Sequence, residues 1–167
     1  MAVVTRKSLH ITNRDATPRV LTNSSISGGM LREAVGVVDF ASGDSIGSKA
    51  IMATVPSNCR ISEIVLYSDD IGVTTVADVG IYRTTEDGGA LVNIDLWGSA
   101  VSLNAGALTN AFVQNESGEF DIVDSEKLLW QALGLTEDSK VHYDVVITLS
   151  AAADAAGTVE TKVRFLI

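Results

Sequence analysis

CRISEIVLYSD, residues 59–69, is the stretch that decides the fold class. Side chains alternate along it, with Val65 and Tyr67 directed to one side and Leu66 to the other. A period of two residues is typical of a β-strand. Because both sides carry apolar side chains, the pattern predicts a central strand that is covered on its two faces.

Similar runs, rich in Val, Ile and Thr, fill most of the chain after residue 33. Short stretches of Gly, Asp and Ser separate them, as expected of turns. The Asp-Gly pair within EDGG, residues 86–89, predicts a tight hairpin between the strands on either side. The predicted strands are residues 34–40, 49–55, 59–69, 76–84, 90–97, 105–114, 118–124, 141–150 and 158–167.

One segment has the pattern of a helix. In DSEKLLWQALG, residues 124–134, Asp124 or Ser125 can cap the first turn and Gly134 can end the last. A single short helix among regularly spaced strands indicates an all-β protein. We therefore predict a jelly-roll-like β-sandwich of about eight strands.

The first 33 residues do not follow this pattern. HITNRDATPRVLTNSSISGG, residues 10–29, shows neither the period of a strand nor the apolar stripe of a helix. Its Thr, Asn and Asp side chains favour turns, and the Gly-Gly pair interrupts any continuing element. We predict an extended N-terminal arm over residues 1–33 and a β-sandwich domain over residues 34–167.

The chain is acidic, with 21 acidic and 12 basic residues and a formal net charge of −9. An acidic surface repels phosphate backbones and anionic lipids, so the composition argues against nucleic-acid and membrane partners. Neither a signal-peptide pattern nor a long apolar run is present in the sequence. We therefore expect a protein made in the cytoplasm, without a disulfide framework because Cys59 is the single cysteine.

GDSIG, residues 43–47, matches the nucleophile motif G-x-S-x-G of hydrolases, with Ser45 as the nucleophile. That motif needs a helix after it and a histidine partner, whereas SKAIMATV has the composition of a strand. The chain contains two histidines, His10 and His142. A Gly-Ser hairpin turn is the better interpretation, and we expect no enzymatic activity.

A carbohydrate-binding jelly roll for host attachment is the alternative function. It would need Trp97, Tyr82 or another aromatic side chain exposed in a groove. Cys59 is expected to be buried and unreactive. Asp69, Asp70 and Asp78 are more simply a solvated acidic loop than a calcium site, so no metal or cofactor is predicted.

An extended arm cannot bury its own backbone, and ordering it costs about 1–2 kcal/mol per residue. Four of the chain's 12 basic residues lie among its first 19. A basic arm on an acidic body suits docking on an acidic partner or on a second copy, and a solvated tail is the alternative. The predicted docking residues are Arg6, Lys7, Arg14, Arg19, Val20 and Leu21.

The sequence also resembles the small decoration, or cement, proteins of tailed bacteriophages. The resemblance lies in ITNRDATPRVL (11–21), SGGMLREAVGVV (27–38), TVPSNCRISEIVL (54–66), ADVGIYRTTEDGGA (77–90), ESGEFDIVDSEKLLWQALGL (116–135) and YDVVITLSAAADAAGT (143–158). These segments occur in this order over most of the chain, and none is a catalytic signature.

The resemblance implies a jelly-roll protein on the outer capsid surface of the virion, synthesised in the host bacterial cytoplasm. It implies that the protein bridges neighbouring major capsid subunits and self-associates as a dimer or trimer at a capsid symmetry axis. In that case the arm is expected to be a docking strap. Arg14 and Arg19 would then pair with capsid carboxylates, while Val20 and Leu21 enter a groove.

Overall fold

Two four-stranded antiparallel sheets pack against each other in the computed structural model, which describes residues 4–104 and 111–167. Most of the strands coincide with the alternating runs of the sequence. Within the described residues they are β1 Leu31–Phe40, β2 Lys49–Pro56, β3 Arg60–Ser68, β4 Val76–Arg83, β5 Leu91–Ser102, β6 Ala111–Phe112, β7 His142–Leu149 and β8 Gly157–Leu166.

The strand order is that of one long hairpin wound around a core. β1 pairs with β8, β2 with β7, β3 with β6 and β4 with β5, all antiparallel. One sheet has the order β1-β8-β3-β6 and the other has the order β2-β7-β4-β5. This is the jelly-roll arrangement, and it confirms the predicted all-β sandwich.

β3 lies between β8 and β6, which confirms the central strand predicted from residues 59–69. Its register against β8 shifts between Ile61 and Glu63, where an extra residue forms a bulge. The bulge turns Ile61 to the same side as Ile64 and Leu66, and all three are buried in the core. Alternation in the sequence alone places Ile61 on the wrong face, because it does not anticipate the bulge.

The arm is not extended throughout, because α1 spans Leu9–Asp15. Ser8 caps this helix, and its carbonyl accepts a hydrogen bond from Thr12 Oγ1 at 2.9 Å. The segment lacks an apolar stripe, so its helical character rests on capping and on polar contacts that periodicity does not detect. β1 begins at Leu31, and the division of the chain into arm and domain stays a prediction.

A short helix lies within residues 124–134 as predicted, but it is limited to α2, Leu129–Ala132. A 3-10 turn at Ile122–Glu126 precedes it. The backbone amide of Leu129 donates to the Cys59 carbonyl at 2.7 Å, and the next amide donates to the β2–β3 loop. The helix therefore begins where that loop accepts its first amides. None of the helices in the described ranges is long and apolar enough to cross a membrane.

Two other predicted strands differ in the structure. Of residues 105–114, residues 105–110 lie outside the described part of the chain, and Ala111–Phe112 form β6. Residues 118–124 form turns instead of a strand. There the carboxylates of Asp121 and Asp124 accept backbone amides at 3.2 and 2.9 Å, which curls the segment.

The connections between strands gather at two ends of the sandwich. At the loop end, residues 41–48, 69–75 and 150–156 are joined by backbone hydrogen bonds of 2.9 Å. The opposite end, which we call the arm end, carries residues 23–30 and the β2–β3 loop. The core between the two sheets includes the fully buried side chains of Trp97, Phe120 and Tyr143.

Thr161 on β8 is a polar defect in this core. Its side chain faces inward between Val159 and Val163 and is fully buried. Its hydroxyl has no hydrogen-bond partner among the described residues. A buried hydroxyl without a partner costs about 1–3 kcal/mol, so this position lowers the stability of the fold.

Thr161→Val should raise the free energy of unfolding by about 1 kcal/mol, because it removes the unpaired hydroxyl at almost constant shape. The reverse change one step along the inner face, Val159→Thr, should lower it by about 1–3 kcal/mol. Urea unfolding of both variants with an unchanged m-value checks the pair. A loss of stability in Thr161→Val would contradict the assignment.

Candidate docking surface at the arm end

The arm is held to the sandwich by an anchor, residues 23–30. Arg60, at the start of β3, donates from Nε to the Ser25 carbonyl at 2.7 Å and from Nη1 to the Ser125 carbonyl at 3.0 Å. Ser25 is buried, and Gly29 lies too close to neighbouring backbone to carry a side chain. The anchor is therefore packed against the sandwich, and the residues before it, up to residue 22, project from the sandwich.

Residues 8–22 fold into a small projecting unit, which we call the arm knob. After α1 the chain folds back, so that the Val20 amide donates to the Asn13 carbonyl at 3.2 Å. Asn13 Nδ2 donates to Thr22 Oγ1 at 3.3 Å. α1 contains no buried residue, and so short a helix is marginal by itself in water. The arm knob thus has hydrogen bonds but no core, which favours docking on another surface.

The basic residues of the arm divide into paired and unpaired groups. Asp15 accepts Lys7 Nζ at 2.9 Å and Arg14 Nε at 2.8 Å. The Arg14 guanidinium, with help from Lys7, holds the pKa of Asp15 well below its ordinary value. No ion pair joins Arg6 or Arg19 to any residue within 4–104 and 111–167. These two guanidiniums remain available to a partner.

Aliphatic side chains of the arm are exposed beside these charges. Leu21 is 88% exposed and Val20 is 50% exposed. Leu9 of α1 and Val4 are exposed as well. Next to α1 lies a hollow of about 190 Å³, lined by His10, Arg14, Arg19, Val20, Leu21, Thr22 and Ser27. The arm knob therefore presents a basic and apolar surface.

The structure brings four of the six predicted docking residues around that hollow, while Arg6 and Lys7 precede α1. Their docking role stays a prediction. Sequence reasoning missed the anchoring role of Arg60, whose signal was a cation directly after the buried Cys59. It also missed the exposed pair Ile122 and Val123, near the Ser125 carbonyl that Arg60 binds.

The geometry separates Ser45 from both histidines. Ser45 lies at the loop end, where the Gly47 amide donates to the Leu149 carbonyl. His142 pairs with Pro56 at the other end of β2, seven residues beyond Lys49, which is about 23 Å at 3.3 Å per residue. His10 lies on the arm. Neither imidazole can act as the base for Ser45, which removes the basis of the hydrolase interpretation.

The aromatic side chains named for sugar binding are buried. Trp97 is 1% exposed and lies in the core, and Tyr82 is 5% exposed. The Tyr82 hydroxyl lies 3.2 Å from Thr148 Oγ1, and the ammonium of Lys49 covers its ring. The exposed platform that the carbohydrate-binding alternative requires is therefore not formed by these two residues.

Cys59 is buried as predicted, and burial raises the pKa of its thiol to about 12. A neutral thiol is a poor nucleophile. Two of the aspartates weighed as calcium ligands accept hydrogen bonds from different backbone amides. Asp69 accepts the Thr158 amide at 3.1 Å, and Asp78 accepts the Ala100 amide at 2.8 Å. Within the described ranges, no three His, Cys, Asp or Glu side chains form a group suited to a metal ion.

Arg60→Ala should release the arm from the body, because it removes both charged hydrogen bonds to the anchor and to Ser125. Each such bond contributes about 1.5–3 kcal/mol. Limited proteolysis should show faster cleavage within residues 1–30, with the sandwich intact. Arg32→Ala, at an exposed position on β1, is the matched control and should cleave like the wild type. Equal protection in both variants would contradict the anchor.

The ion pairs of Asp15 should respond to acid. Because its pKa is depressed in the folded arm, the stabilisation is fully present above the unfolded pKa of about 3.9. It is lost as the pH falls through the lower folded value. NMR titration of the Asp15 carboxyl should show that low midpoint, with α1 loosening alongside, and Asp15→Asn should abolish the transition. A midpoint near 3.9 would contradict the pairing.

No protein-family model matches the sequence, and no curated protein matches it. The chain is similar in fold to a chain of the solved structure "Cyanophage Pam1 capsid asymmetric unit", with 19% sequence identity and a TM-score of 0.57. The alignment covers 89% of this chain and 93% of that chain.

Two further solved structures align less closely. A chain of "Capsid of Ralstonia phage GP4" has 14% identity and a TM-score of 0.49 over 81% of this chain and 84% of that one. A chain of "Acidic stable capsid structure of Helicobacter pylori bacteriophage KHP30" has 11% identity and a TM-score of 0.35 over 83% and 94%. The cyanophage match shows that this sandwich shares its fold with a chain of a solved phage capsid.

Proposed function

We propose that the chain is a structural virion protein of a tailed bacteriophage. It binds the outer surface of the capsid and bridges neighbouring major capsid subunits, which stabilises the shell. The observation that carries the proposal is the arm knob, a projecting unit without a core that has exposed aliphatic side chains. Arg19 within it and Arg6 just before it have no ion-pair partner among the described residues. The fold likeness to a chain of a phage capsid structure supports the same role.

The proposed mechanism is the burial of surface across a seam between capsid subunits. Fully burying an aliphatic side chain at an interface stabilises the complex by about 1.5–3 kcal/mol. Burial of Val20 and Leu21 would therefore contribute several kcal/mol to the free energy of binding. Arg6 and Arg19 supply charge-assisted hydrogen bonds to carboxylates of the shell. An interface of this kind resists the internal pressure that pushes subunits apart, and it needs no catalysis, metal or cofactor.

The charge of the chain suits the outer surface. The chain has a net charge of −9, so its acidic body is repelled by packaged DNA. The basic arm is attracted to an acidic surface. The arm docks either on a major capsid subunit or on a second copy, and copies associate as a dimer or trimer at a symmetry axis. Avidity between linked copies then strengthens binding to the shell.

Co-sedimentation with DNA-filled virions and unexpanded procapsids of the encoding phage tests the role. The wild type should saturate at a fixed copy number on filled particles and bind procapsids weakly. The double variant Arg19→Glu/Leu21→Asp should bind filled particles at least tenfold more weakly, because it reverses a charge and removes the most exposed aliphatic side chain.

The matched control is Arg32→Glu, a charge reversal at an exposed position on β1. It should bind like the wild type. Wild-type protein that pellets with neither particle would overturn the proposed function. Undiminished binding of the arm variant would overturn the role of the arm while leaving the virion role in place.

A further inference from the structure

On the outward side of β1, β8 and β3, an apolar stripe on the edge strand β1 lies beside the charged side chains of β8 and β3. Residues opposite one another in antiparallel strands share a face, and β8 pairs with both β1 and β3. On β1 the outward side chains include Val35, which is 53% exposed, and Val37, which is 61% exposed. An edge strand normally carries charged side chains at exposed positions. Two neighbouring exposed valines on this strand therefore indicate that another protein surface packs on them.

This surface, which we call the β1–β8–β3 face, is acidic. Arg164 pairs with Glu33 at 2.6 Å and also with Glu63, and Lys162 pairs with Glu160 at 3.2 Å. Both cations are thus already engaged. The five acidic residues of the face are Glu33, Asp39, Glu63, Asp69 and Glu160, and the three cations are Arg60, Lys162 and Arg164, which leaves a net charge of 5 − 3 = 2 negative.

A shallow hollow interrupts the face beside the apolar stripe. It measures about 180 Å³, close to the size of one large side chain, and is lined by Val37, Tyr67, Ser68, Asp69, Thr158 and Glu160. The Thr158 hydroxyl donates to Asp39 at 2.8 Å, which orients that carboxylate at the rim. The hollow combines an aliphatic wall, an aromatic ring and carboxylates, so it suits a long side chain that is basic or aliphatic.

We propose that this face receives the arm of a second copy of the chain, residues 4–22. The arm over residues 4–22 carries four basic residues and one acidic residue, a net charge of 4 − 1 = 3 positive. The charge of the arm is therefore opposite in sign to that of the face. Both surfaces also carry exposed aliphatic side chains, Val20 and Leu21 on the arm and Val35 and Val37 on the face.

The same charges argue against two faces pairing with each other, since each has a net negative charge. The contact is therefore heterologous, with the arm of one copy on the face of the next. Such contacts close into a ring when the rotation permits, and a trimer at a symmetry axis is one closed form. The inference rests on the proposed function in that it names the partner of the arm. Its test uses the free protein, so the two can fail separately.

Sedimentation velocity over a range of protein concentrations, at low salt, is the first measurement. The wild type should form concentration-dependent oligomers that weaken at least tenfold between 50 and 500 mM NaCl, because complementary charges are screened. The face variant Val37→Lys and the arm variant Arg19→Glu/Leu21→Asp should each be monomeric. Ile51→Lys, at a position 53% exposed on β2 of the other sheet, is the matched control and should associate like the wild type.

Mixing the two deficient variants is the decisive step. Val37→Lys retains an intact arm, and the arm variant retains an intact face, so one contact can still form between them. The mixture should give a 1:1 heterodimer and nothing larger. A mixture that stays monomeric would overturn the proposal, as would equal loss of association in Ile51→Lys.

The remaining outcome separates the inference from the proposed function. A wild type that is monomeric at every concentration, while the arm variant still loses capsid binding, would overturn the proposal. The arm would then dock on a capsid subunit, and the virion role would stand.

Discussion

The pairing of β1 with β8 is the constraint on which the rest of the structure depends. Ten residues of each strand lie in continuous register, from Leu31 opposite Leu166 to Phe40 opposite Gly157. This pair joins the two ends of the wound hairpin, and the pairs β2–β7, β3–β6 and β4–β5 follow it around the core. It also makes the arm leave the sandwich beside Arg60. The site at which the arm projects is therefore set by topology, not by the composition of the arm.

The strands were predictable because packing between two sheets favours a period of two residues, as the buried Val163 and its more exposed neighbour Lys162 show on β8. The bulge at Ile61 was not, since it depends on the pairing with β8. α1 was missed because Ser8 and the contacts of Asp15 stabilise it without burial. α2 is shorter than predicted, because the β2–β3 loop determines where it begins.

The candidate site was predictable in composition but not in arrangement. Basic and aliphatic residues near the start of the chain indicated a docking segment, and the structure leaves Leu21 and Arg19 exposed there. The sequence could not show that Asp15 would engage Lys7 and Arg14, since that depends on how α1 brings the three together. The formal charge of −9 conceals a positive projection on a negative body, a separation that orients the molecule as it approaches a charged surface.

The way in which Arg60 holds the anchor has a consequence for evolution. Its guanidinium donates to the main-chain carbonyls at positions 25 and 125. Every amino acid supplies such a carbonyl, so these two hydrogen bonds do not depend on which side chains the two positions carry. Lineages can therefore exchange the residues of the arm as their partners diverge, while the arm keeps its attachment and its direction of exit from the sandwich.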